Sequence, residues 1–194
     1  MRRFDYSFLR RGLLPANFAN LAALIESMKV KASVRKEEHL AIFTELEAIA
    51  KVQSVKSSNA IEGIVTSDER INAIVNQNSA PLDHNEAEIA GYRDALFAVH
   101  TNYERLDFRE SDILLLHGTM TSLAGYADGG RYKRDDNIIL EVDAQGRRQV
   151  RFMPLPASET PQAMEQLTLS YFEAKNDAQV SQLLLIPCVI LAFL

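Results

Sequence analysis

The sequence predicts an all-α fold carrying one β-hairpin. Three observations predict it. Gly and Pro are sparse, 8 and 6 in 194 residues, and apolar residues recur mostly every three or four positions, the helical period. One stretch, Asn137–Phe152, alternates instead and is interrupted by Asp143-Ala144-Gln145-Gly146, which reads as a turn between two strands. The chain is long enough for one domain with a core, or one domain and part of another.

The elements follow in order. Pro15 suits the first position of a helix, and Phe18, Leu21, Ile25 and Met28 form one stripe. A second helix is expected from about Arg35 towards Glu62. Leu40, Phe43, Leu46 and Ala50 lie on one face, widened by Ile42 and Ile49, with Lys36, Glu37, Glu38, Glu45 and Glu47 solvated. Gly63 can adopt the left-handed conformation that ends a helix. Thr66 and Glu69 then read as a capping box, followed by Ile71, Ile74 and Val75 at helical spacing. After the polar break Asn76–Pro81, Asp83 and Glu86 make a second box before a stripe of Ile89, Tyr92, Leu96 and Val99, which ends near Asn102. A further helix starts around Asp107–Asp112 and carries Ile113, Leu116, Met120 and Leu123 towards Gly125.

Ala124–Arg134 is rich in Gly and charge and reads as a loop. In the hairpin, Ile138–Val142 pairs with Arg148–Phe152. A lone hairpin is marginal, so this one is expected to pack on helices and leave its outer edge free for another chain. Pro154 and Pro156 end it. Thr160-Pro161 opens a helix with Met164, Leu167 and Tyr171 or Phe172 inward. The last element, Val180–Leu194, is kinked or restarted at Pro187. Leu183–Leu194 is apolar on all sides and should be buried. A chain that stops inside its most apolar helix reads as a fragment of a longer one. A helical region of about 1–80 then precedes a region of about 81–194.

Composition narrows the function classes. Net charge is -5, with 47% apolar and 24% charged residues, so broad non-specific nucleic-acid binding is not supported. The single Cys188 excludes an internal disulfide framework and fits a reducing compartment. No secretory leader and no apolar run long enough to span a bilayer is visible, so the cytoplasm is the expected location. His39, His84, His100 and His117 are scattered and suggest no metal site. No phosphate loop, dinucleotide fingerprint or nucleophile elbow is present; Gly129-Gly130-Arg131 reads as a flexible turn. Arg131, Lys133, Arg134, Arg147, Arg148 and Arg151 make the 131–151 region locally basic. Two readings stay open for it, a solvated loop and hairpin, or a surface that receives an anionic ligand or a partner peptide.

Ser58-Asn59-Ala60-Ile61-Glu62-Gly63 stands out. Ser58 and Glu62 are four apart and share a helix face. A carboxylate at a helix C-terminus meets the negative end of the dipole, which suggests a cation supplied from elsewhere. The plain alternative is a solvated Ser/Glu pair.

In order along the chain, four segments resemble a Fic-family protein. Val55–Gly63 (VKSSNAIEG) is similar to the inhibitory motif Ser/Thr-x-x-x-Glu-Gly/Asn. Leu115–Ile139 resembles the helix leading into a Gly-x-Tyr-Arg loop and an apolar strand, although Lys133 stands where the family usually has Arg. Val150–Glu165 resembles the closing strand of the flap hairpin with its Pro-rich exit. Pro187–Leu194 (PCVILAFL) resembles the helix that runs into the catalytic motif His-Pro-Phe-x-x-Gly-Asn-Gly-Arg-x-x-Arg. That motif is not among these residues.

The resemblance implies a Fic-like helical fold, incomplete at its C-terminus, from an enzyme that transfers AMP from ATP, with Mg²⁺, to a hydroxyl of a target protein. It implies no catalytic or metal-binding residue within this chain, which as given should be inactive. It implies that Ser58, Glu62 and Gly63 form the brake, Glu62 pairing with the last Arg of the catalytic motif. The flap, about 137–153, would bind the target through Lys133, Ile138, Ile139, Leu140, Val150 and Phe152. An incomplete core would expose apolar surface and favour homo-oligomers. The alternative is a non-catalytic helical binding or adaptor module acting through Ser58–Gly63 on another chain.

Overall fold

The computed structural model describes residues 4–11 and 14–193. Among them are seven α-helices and one two-stranded antiparallel hairpin. Contacts divide the chain into two compact units, one of Gly12–Tyr103 with Thr119–Tyr126, the other of Met1–Arg11, Glu104–Gly118 and Ala127–Leu194.

The first unit is helical. Helix α1 (Phe18–Glu38) and helix α2 (Leu40–Ile61) meet at His39, whose backbone (φ -132°, ψ 47°) breaks the helical run. The break falls later than the expected start near Arg35, so Lys36, Glu37 and Glu38 end α1. Lys36 pairs with Glu47 at 2.6 Å across the bend. No Gly or Pro marks this point, and neither is needed because one residue absorbs the turn. No side chain of α1 is buried, and Leu21, Leu24, Ile25 and Met28 are exposed.

Helices α2, α3 (Asp68–Gln77) and α4 (His84–Asn102) converge on Val55, Ile71, Ile74, Ile89 and Ala90. Val52, Ile64, Tyr92 and Leu96 pack around this cluster. Ile74 and Ile89 are fully enclosed, each contributing about 1.5–3 kcal/mol of burial. The cap of α3 is Ser67, whose hydroxyl accepts the Arg70 amide at 3.3 Å, one residue beyond the expected Thr66. Thr66 is engaged elsewhere, donating to Glu86. Asp83 caps α4 as expected, its carboxylate accepting the Glu86 amide at 2.8 Å. Gly91 lies directly against the Met120 backbone, with no room for a Cβ.

The second unit holds a short 3₁₀ turn (Ser7–Arg10), most of helix α5 (Glu110–Thr121), strands β1 (Ile139–Val142) and β2 (Arg148–Phe152), and helices α6 (Thr160–Lys175) and α7 (Gln182–Phe193). Its core is Tyr6, Leu167, Ala174, Val180, Leu185 and Val189. Pro161 sits in the first turn of α6, where its missing N–H has no partner to lose. Helix α7 keeps Pro187 inside it and buries Leu185 and Val189 alone, while Leu183, Ile186, Ile190, Leu191 and Phe193 are exposed. That corrects the expectation of a helix buried all round. Within this unit α7 packs on α6, and one helical neighbour covers one stripe. Leu194 lies outside the described residues.

The hairpin forms at the expected place. Gly146 takes φ 78° in its turn, and the Asp143 carboxylate accepts the amides of Gln145 and Arg147, both at 2.9 Å. Pairing runs Val142↔Arg148, Glu141↔Gln149 and Leu140↔Val150, then slips to Ile139↔Phe152, leaving Arg151 unopposed in a bulge. All nine strand residues are exposed. The expectation that the hairpin packs on helices is therefore corrected: its turn chemistry and ladder hold it. Its root is tied down where Asp136 accepts the Ala157 amide at 2.7 Å.

Candidate functional site

The end of α2 is built with care. Gly63 takes φ 77°. Its amide donates to the Ala60 carbonyl at 3.1 Å, and the Ile64 amide donates to the Asn59 carbonyl at 3.0 Å. These are the two bonds of a Schellman motif, and they satisfy carbonyls that the helix end leaves open. Asn59 is buried and donates to the Val55 carbonyl at 2.8 Å. Ser58 is half-buried, and its hydroxyl accepts from the Tyr92 phenol on α4 at 2.9 Å. One face of the last turn is thereby locked to α4. Glu62, the residue just before Gly63, is exposed, and no ion pair to it forms among the described residues. The three residues of the sequence motif thus come together with distinct roles: Ser58 anchored, Gly63 turning the chain, Glu62 presented outward.

Behind this end lies an ionic clamp. Glu86 is buried. It accepts from Arg70 Nε at 2.9 Å and Nη2 at 2.6 Å, from the Thr66 hydroxyl at 3.1 Å and from the Leu82 amide at 2.9 Å. Hydrogen bonds from Arg70 first, then from Leu82 and Thr66, outweigh desolvation and hold its carboxyl down at about 2. Arg70 also donates to the Ala80 carbonyl at 3.0 Å. Lys56 pairs with Asp68 at 2.5 Å, fastening α2 to the start of α3. The segment after Gly63 is therefore fixed from several sides.

Sequence reasoning placed Tyr92 on a core stripe and Glu86 in a capping box, and missed the bonds both make towards the motif. The Ser58 and Tyr92 positions are 34 residues apart, and no local spacing rule reaches that far. For Glu86 a weak signal existed, because an acid in a first turn beside an apolar run calls for a partner once buried.

In the other unit, Ile138, Ile139, Leu140, Val150 and Phe152 sit together on or beside the hairpin, each about half exposed. Lys133 is not among them. It is half-buried and lines a cavity of about 160 Å³ with Pro154, Leu155, Met164, Leu167 and Phe193. Tyr132, its neighbour, has its phenol pushed above the ordinary range by burial and then by the Glu110 carboxylate. A groove of about 800 Å³ runs beside residues 4–10 and α6, with the Arg10–Asp177 ion pair of 2.5 Å on its wall.

The described residues bring no group of three or more His, Cys, Asp or Glu into position to hold a metal. Among the described residues no helix is long and apolar enough to cross a membrane. No family model matches this chain, and no curated protein matches it.

Proposed function

We propose that this chain is the regulatory and flap-bearing part of a self-inhibited protein AMP-transferase of the Fic type. The observation that carries the reading is the end of α2, where the Gly63 turn and the Tyr92–Ser58 bond fix the helix and leave Glu62 exposed, with no ion pair to it among the described residues. A carboxylate at the negative end of a helix dipole, held on a rigid base, is suited to capturing a guanidinium. In this reading the guanidinium is the last Arg of the catalytic motif, and its capture keeps ATP from binding productively. The fold is Fic-like and incomplete at its C-terminus; the bare apolar faces of α1 and α7 support this, since further helices would cover them. The same faces favour homo-oligomers of the isolated chain. The hairpin is the flap that holds a target protein in the cytoplasm, and ATP with Mg²⁺ serves the complete enzyme.

The test is Glu62→Gly in the protein carrying the His-Pro-Phe motif. Incorporation of label from ATP labelled in the AMP moiety should rise at least about tenfold, the effect of removing on the order of 1.4 kcal/mol of inhibition. Unchanged incorporation would sink the reading. The exposure of Glu62 also favours a second reading, a non-catalytic adaptor that presents Ser58–Gly63 to another chain. Binding of an arginine-bearing partner with no incorporation in any variant would select it.

A further inference from the structure

Two cations on the hairpin lack an opposing acid. Arg148 faces Val142 across the ladder, and Arg151 occupies the bulge with no residue of β1 opposite it. Neither forms an ion pair among the described residues, in contrast to Arg147, which is tied to Asp143 at 2.6 Å. Both are exposed, as is every residue of the two strands. The acids of the hairpin fall elsewhere. Glu141 lies on β1 and meets Gln149 at 3.4 Å, Asp143 is used by the turn, and Asp135 and Asp136 precede β1. The ribbon is therefore basic along β2 and acidic along β1.

We infer that β2 offers its outer edge to an extended, acidic peptide segment, which names the class of target for the flap and rests on the function proposed above. The backbone of an edge strand presents unpaired N–H and C=O groups at strand spacing. A segment laid beside β2 stands about 4.8 Å from it, close enough for its acidic side chains to meet Arg148 and Arg151 directly. Laid beside β1 the same acids would meet Glu141. The bulge at Arg151 re-aims that side chain and frees it from the ladder's own cross-strand pairing. Val150 lies between the two arginines and is half exposed, so an apolar residue of the segment has a partner there. Specificity comes from charge at two points, and the main chain supplies the remainder.

The probe is a fluorescein-labelled Thr-Glu-Val-Thr-Glu-Val peptide, with Gln and Lys versions, titrated into this chain at low salt. Two exposed ion pairs, each weak, should together give roughly a tenfold preference for the Glu peptide over the Gln peptide. Added salt should shrink it, and the Lys peptide should not bind. Arg148→Glu with Arg151→Glu should abolish the preference, and Arg148→Gln with Arg151→Gln should do so without reversing charge. New hydrogen-exchange protection should appear at β2 amides. Equal binding of the Gln peptide, or a preference that survives either double variant, overturns the inference. So does acidic preference without β2 protection, or equal binding of a single-stranded oligothymidylate. The outcomes separate from those of the parent reading. Acidic peptide bound on β2, with no AMP transfer in any longer form of the protein, sinks that reading alone. Transfer without acidic preference sinks this inference alone.

Discussion

The end of α2 and the tip of the hairpin are both glycine turns, and they are stabilised in opposite ways. Gly63 and Gly146 have nearly the same φ, 77° and 78°, and a Cβ at either would meet nothing within 4 Å. Around Gly63 the structure is tertiary: Ser58 is held by Tyr92, Lys56 by Asp68, and Glu86 by Arg70, all on separate helices or their ends. Around Gly146 it is local, with Asp143 serving the amides two and four residues on and the Arg147 side chain. The corner behind α2 is part of a core, and the hairpin is a ribbon on its own. On the proposed function the corner is a brake, which has to hold one position, and the hairpin is a binding edge, which gains from being open. The same residue type thus marks a rigid presentation in one place and an adaptable one in the other.

The largest difference should appear in core truncation. Ile74→Ala removes a fully enclosed side chain from the cluster of α2, α3 and α4 and should cost about 2–5 kcal/mol in urea unfolding. Val150→Ala, on an exposed strand, should stay within about 0.5 kcal/mol. Similar costs for the two would mean that the hairpin is part of the folded core.

Acid should separate the two regions next. The Glu86 carboxyl sits at about 2 in the fold against an ordinary 4.5. A carboxyl depressed by folding stabilises above its unfolded value, and that contribution is lost as pH falls from about 4.5 towards 2. The urea midpoint of the wild type should therefore drop through this window. Glu86→Gln should start from a lower midpoint and lose that part of the acid slope. The Asp143 carboxyl is also depressed, first by the Arg147 amide and then by its side chain. Asp143→Asn should nonetheless leave the acid limb in place, because its partners belong to the hairpin alone. An unchanged slope in Glu86→Gln would show that the clamp does not couple to global folding.

How much of this was legible in the sequence follows the same division. The hairpin could be read almost residue by residue, since Asp143 and Gly146 act on amides within a few positions of themselves. Gly63 and Asp83 were legible for the same reason. The cap of α3 was misplaced by one residue, because Thr66 and Ser67 both qualify locally and only the position of Glu86 settles which one is free to cap. His39 carries no breaking signal at all. The apolar run Leu183–Phe193 specified a helix, but periodicity cannot say how many neighbours surround it. The partners of Ser58 and Glu86 could not be read either, since both come from distant segments that only the packed core brings close. The spacing of Ser58 and Glu62 pointed to the end of α2 as a place of interest, but its rigidity had to come from the structure.

The smallest and sharpest comparison exchanges the two glycines for alanine. An L-residue at positive φ costs about 1–2 kcal/mol, and neither site adds a clash, so the local strain should be equal. At Gly63 the strained turn carries two backbone bonds of the helix end and leads into Ile64, which packs on the core. The full cost should therefore appear as a fall in global stability, and the Tyr92–Ser58 bond should loosen. At Gly146 the strain can be released by fraying the tip, which nothing else depends on. Global stability of Gly146→Ala should match the wild type within about 0.5 kcal/mol. Its β1 and β2 amides should exchange faster, because strand pairing alone protects them. Equal losses of global stability for the two variants would show that the ribbon and the corner unfold as one, and the hairpin would then be a fixed wall rather than an open edge.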